Sequence, residues 1–79
     1  MNMLTGTQIR AARAMLRISA QDLANLAEIG ITTIRRAESV DGQPKTTTAN
    51  LKAIKTALET AGVEFIPENG GGAGVRLRK

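Results

Sequence analysis

The sequence predicts a mainly α fold, four short helices followed by a C-terminal β-hairpin. Three observations predict it. Apolar residues recur at three- and four-residue spacing from residue 7 to residue 61, the period that lines one face of a helix. After Gly62 the period changes to the alternation of strands, in Val63-Glu64-Phe65-Ile66 and in Val75-Arg76-Leu77-Arg78. The chain has 79 residues, 42% hydrophobic and 23% charged, which describes one small folded domain with a single modest core.

The first helix is expected over 7–17, with Thr7 as N-cap and Ile9, Ala12, Leu16 and Met15 turned inward. Ser19 caps the second. Asp22, three residues on, completes a capping-box-like start and suits the positive end of the helix dipole. Leu23, Leu26 and Ala27 carry the inward stripe of this helix to residue 27 or 28. Glu28-Ile29-Gly30 breaks it, and a third helix follows over 31–39 with Ile34 and Ala37 inward. Asp41-Gly42 and Pro44 mark a loop. Thr46, Thr47 and Thr48 offer caps for a fourth helix through residue 61, whose stripe is Leu51, Ile54, Leu58 and Ala61. Gly62 stands where a left-handed C-cap closes it. Residues 67–74, rich in glycine, are read as the hairpin loop. The organisation is thus a helical unit over 1–62 and a hairpin over 63–79, without repeats.

Composition excludes several kinds of chemistry. With no Cys and no His, there is no disulfide framework, thiolate nucleophile, zinc finger or His-based triad. Asp22 with Glu28, and Glu64 with Glu68, make no convincing acid/base pair. The glycine-rich stretch lacks the Gly-Lys-Ser/Thr of a phosphate loop. No enzymatic activity, metal or cofactor is expected. Phe65 is the one aromatic residue, which argues against base stacking on an aromatic platform. Eleven basic residues against seven acidic ones, a net charge of +4, favour a polyanionic partner. The first residues hold no apolar signal core and no apolar run reaches membrane length. A cytoplasmic, nucleoid-associated protein is expected.

Two short helices joined by a tight turn in a basic helical domain form the pattern of a helix-turn-helix. Leu23, Ala24 and Ala27 must admit close approach, Ile29 must plug the turn, and Ile34 with Ala37 must hold the third helix across it. The free face of that helix then carries Ile31, Thr32, Arg35, Arg36 and Ser39.

The order Leu23-Ala24-(x4)-Ile29-Gly30-(x3)-Ile34-(x3)-Glu38 resembles the XRE family of phage-repressor-like helix-turn-helix regulators, over residues 7–61. The tail, Gly-Val-Glu-Phe-Ile-Pro-Glu-Asn-Gly-Gly-Gly and then Gly-Val-Arg-Leu-Arg-Lys, is similar to that of short bacterial members ending in a hairpin. The resemblance implies base contacts from Ile31, Thr32 and Arg36, with Arg35 beside them reaching base or phosphate. It implies phosphate contacts from Ser19, Gly30, Thr33, Ser39, Lys45 and Thr46. The family's glutamine at the start of the second helix is Ala20 here, with Gln21 next to it as the phosphate-contacting side chain. The family's turn glycine is Glu28. Arg13 and Glu38 occupy the places of a structural ion pair. Since the hairpin stands where the family has a fifth helix, Val63, Phe65, Ile66, Val75 and Leu77 are expected to form a dimer interface. The implied function is a homodimeric, sequence-specific regulator of double-stranded DNA, most simply a repressor. The alternative is a protein-interaction module, of antitoxin or mobile-element type, whose hairpin docks a partner protein.

Overall fold

The computed structural model describes residues 4–66, 72 and 74–78. It contains four helices, α1 (Gly6–Leu16), α2 (Ala20–Ala27), α3 (Ile31–Glu38) and α4 (Thr48–Thr60), then two strands, β1 (Val63–Ile66) and β2 (Gly74–Leu77). Most of the loop read over 67–74, with Glu68, and Lys79 lie outside the described residues. No helix among the described residues is long and apolar enough to cross a membrane.

The start of α1 differs from expectation. Thr5, not Thr7, is its N-cap: the Thr5 hydroxyl accepts from the Gln8 N–H at 3.1 Å, and Gln8 Oε1 accepts from the Thr5 N–H at 3.0 Å. This reciprocal pair satisfies two otherwise orphaned donors. The cap is therefore Thr5-x-x-Gln8, and Thr7 is freed for another bond. Ile9 and Ala12 are buried and Leu16 half-buried, whereas Met15 lies on the wet side. Ser19 and Asp22 form the expected capping box of α2, with Leu23 and Ala24 buried. Leu26, expected inward, is 54% exposed; the buried side of α2 is centred between Leu23 and Ala24, which at about 100° per residue leaves Leu26 on the opposite margin of the stripe. Ala61 is likewise exposed, as the C-cap beyond the α4 stripe of Leu51, Ile54 and Leu58. Gly62 adopts φ 117°, a conformation open to glycine and costly for other residues.

Ile9, Leu23, Ile34, Ile54, Leu58 and Val63 form the centre of the core, with Ala12, Ala24 and Ala37 filling the gaps between helices. Antiparallel pairing sets Val63 opposite Leu77 and Phe65 opposite Val75. The hairpin packs on α1 and α4 and is tied down at two points. Gln8 Nε2 donates to the Gly74 carbonyl at 3.1 Å, and the Arg78 N–H donates to the Gly62 carbonyl at 2.8 Å. The expected dimer strip is therefore largely occupied within one chain. Val63 is fully buried, and Phe65 and Val75 are half-buried against the same core. A core this small needs the hairpin as its lid. Leu77, at 45% exposure, is the one large apolar side chain of the strip left mainly in solvent.

Candidate nucleic-acid interface

The turn before α3 sets its direction. Glu28 ends α2 in the left-handed region, φ 59° and ψ 42°, and donates its N–H back toward the carbonyls of Ala24 and Asn25. Ile29 follows, half-buried against the core, with its N–H on the Ala24 carbonyl at 3.1 Å. Gly30 is the N-cap of α3, extended and without a side-chain cap, so the first amides of α3 keep free donors.

Ile34 and Ala37 anchor α3, both fully buried. At about 100° per residue, the directions opposite them belong to Thr32, Arg35, Arg36 and Ser39, and all four are exposed. Ile31 sits at the margin of this face, half-buried and touching the core. Thr33 is half-buried on the flank. Neither Arg35 nor Arg36 forms a side-chain hydrogen bond or ion pair among the described residues. This contrasts with the other arginines of the helices' inner side, and it has an electrostatic consequence. Glu38, Asp41, Glu59 and Glu64 neutralise Arg13, Arg10, Lys55 and Arg76, and Asp22 bonds the Ser19 amide. Among the described residues the cations left without an acidic partner are thus Arg17, Arg35, Arg36, Lys45, Lys52 and Arg78, with Glu28 as an unpaired acid.

Of the other expected contact residues, Ser19, Gln21, Gly30 and Lys45 are exposed and Thr46 is half-buried. The Ser19 oxygen accepts from the Asp22 amide at 3.0 Å, which leaves its O–H able to donate. Gln21 Nε2 donates to Asn25 Oδ1 at 3.0 Å, and Thr46 accepts from Asn50. The exposed Ser39 hydroxyl donates to the Arg36 carbonyl at 2.7 Å at the end of α3.

Behind the exposed face lies an ion pair. Arg13 Nε and Nη2 donate to Glu38 Oε2 and Oε1 at 2.7 and 2.8 Å, and Arg13 Nη1 donates to the Ile18 carbonyl at 3.0 Å. The two side chains are 24% and 10% exposed. The hydrogen bonds to Glu38 raise the Arg13 pKa further, against the opposing effect of burial. This bidentate geometry holds the end of α3 against α1 and the turn before α2.

A second group of contacts has no counterpart in the sequence reading. The Gly6 N–H donates to the Gly42 carbonyl at 2.9 Å, and the Thr7 hydroxyl donates to the Asp41 carbonyl at 3.0 Å. Arg10 donates to the carbonyls of Glu38 and Val40 and, at 2.7 Å, to Asp41 Oδ1. The first turns of α1 therefore clasp the segment 38–42, which leads from α3 to Lys45. The local signal was the spacing of Thr7 and Arg10, three residues apart and hence on one face of α1; nothing local named their partners. Arg17, the C-cap of α1, is another cation without an ion-pair partner among the described residues.

No protein-family model and no curated protein matches this chain. Among the described residues no cluster of Asp and Glu could hold a metal ion.

Proposed function

We propose that this chain is a sequence-specific binder of double-stranded DNA, a helix-turn-helix regulator built on α2 and α3 that acts as a homodimer and represses by occupying its site. The observation that carries the reading is the outer face of α3. Two guanidiniums and a threonine stand exposed, the guanidiniums without a hydrogen-bond or ion-pair partner among the described residues, beside the margin of an isoleucine, on a helix locked from behind by Ile34, Ala37 and the Arg13–Glu38 pair. A helix of this width fits the major groove, where Arg36 can bond guanine O6 and N7, and Ile31 or the Thr32 methyl can meet a thymine methyl. Arg35 reaches a base or the adjoining phosphate. Ser19, Gln21, Gly30, Thr33, Lys45 and Thr46 supply donors and one cation for the backbone on either side. No catalytic role is proposed.

Selection from random duplexes, followed by titration at several salt concentrations, tests it. The expected result is a preferred sequence with twofold symmetry and affinity falling steeply with salt. Arg36→Ala is expected to relax preference at one base pair, by about 1–3 kcal/mol. Lys45→Ala is expected to weaken all sequences alike and lower the salt slope by about one. Binding without sequence preference, or no binding, overturns the reading. The exposed Leu77, on a strand of a two-stranded sheet, favours the second reading, a module whose hairpin docks a protein partner. That reading gains if DNA shows no preferred sequence.

A further inference from the structure

We propose that the face formed by α2 and α4 is a self-association surface whose occupant is a second copy of this chain. The proposal deepens the dimeric reading above by naming the surface that joins the copies, and it rests on that reading for its role on DNA. The surface has a projection and a receptacle side by side. Leu26 is the most exposed large hydrophobic residue among those described, at 54%. Next to it runs an open groove of about 590 Å³. Its floor includes Ala49, Ala53 and Ala57, which recur every fourth residue along α4 and leave room where longer side chains would fill it. The same groove carries one acid and one base, Glu28 and Lys52. Both are exposed, and neither is ion-paired among the described residues.

That combination selects the partner. A twofold interface presents the same patch from both sides, so it needs a patch that complements itself. Here Leu26 of one copy can enter the alanine-floored groove of the other, while Glu28 meets Lys52 in both directions. An acidic or a basic partner would satisfy one of these charges and face repulsion from the other. The hairpin offers less, because Val63 is in the core and Phe65 and Val75 lean on it.

The arrangement makes a charge-swap test decisive. In a dimer of Glu28→Lys chains both pairs become Lys against Lys; in a dimer of Lys52→Glu chains both become Glu against Glu. Mixing the two variants restores two attractive pairs. Sedimentation equilibrium without DNA is expected to show a wild-type dimer at micromolar concentration. Each variant alone should associate about tenfold or more weakly, and the equimolar mixture should recover association. Both substitutions are at exposed positions, and circular dichroism checks that each variant is folded. Leu26→Ala is expected to weaken association in wild type and mixture alike. A monomeric wild type, or a dimer indifferent to the swaps, overturns the proposal, as does a dimer broken by Leu77→Glu but not by Glu28→Lys. A monomer that still prefers one DNA sequence removes this surface and leaves the DNA reading standing. A swap-sensitive dimer without DNA binding does the reverse.

Discussion

Three residues carry constraints that a substitution would expose. Gly6 lies directly beneath the α3–α4 segment, and a Cβ there would stand 1.9 Å from the Val40 carbonyl oxygen and 2.7 Å from that of Ala37. Alanine normally favours a helix over glycine by about 1 kcal/mol. The neighbours here are backbone and cannot swing aside, so the clash wins. Gly6→Ala is expected to destabilise by about 2 kcal/mol, read as a lower urea midpoint. Arg17 has the opposite sign. It ends α1 at φ 58°, a region that costs a residue with a Cβ about 1–2 kcal/mol. Arg17→Gly is expected to gain about 0.5 kcal/mol after glycine's larger unfolded-state entropy is deducted. Glu38→Ala leaves the half-buried Arg13 guanidinium without its carboxylate, and the expected loss is about 2 kcal/mol. A thermal midpoint unchanged by Glu38→Ala would refute the structural role of the pair.

Among the elements, the cap of α2, the inward side of α3 and the two strands follow their local signals closely, while the start of α1 and the outward turn of Leu26 do not. Ser19 with Asp22 and the inward pair Ile34 and Ala37 need only neighbours within a turn or two. Thr7 misled as a cap because Thr5 and Gln8, three residues apart, carry the stronger capping-box signature. Gln8 does more than cap, since its Nε2 holds the Gly74 carbonyl and thus joins α1 to β2. Gln8→Leu is expected to cost about 1–3 kcal/mol by leaving buried polar groups without partners, with faster amide exchange in 74–77. The hairpin also carries a pH signature. The hydrogen bond from Arg76 and that residue's positive charge lower the Glu64 pKa below the usual glutamate range. Its contribution to stability is therefore complete above that range and is lost as pH falls through the lowered folded value. Both side chains are solvent-exposed, so the effect is small. The acid limb of the wild-type stability curve should flatten slightly in Glu64→Gln.

For the whole molecule, size bears on the operator that the proposed function requires. The described chain measures 33 × 28 × 18 Å. Two copies joined along the α2–α4 face span at most twice the long axis, which is less than two turns of DNA, and α2 within that face packs directly on α3. Half-sites one helical turn apart, about 34 Å centre to centre, are the expected spacing, not a multiple of it. Selected sequences with half-sites two turns apart would contradict this arrangement. The division of charge works at the same scale. Acids placed against Arg10, Arg13, Lys55 and Arg76 leave α3 with two guanidiniums unpaired among the described residues.

The sequence by itself determined the number of helices, the break at residues 28–30, the inward side of α3 and the change to strand after Gly62. Periodicity and caps are read within a few residues, and these features depend on nothing farther away. Only the tertiary structure decided that Val63 belongs to the core, that Leu26 stands outside it, and that Gly6, Thr7 and Arg10 grip a segment some thirty residues along the chain. Such contacts are set by which surfaces a small core must cover, and that is a property of the packed chain with no local trace in the order of its residues.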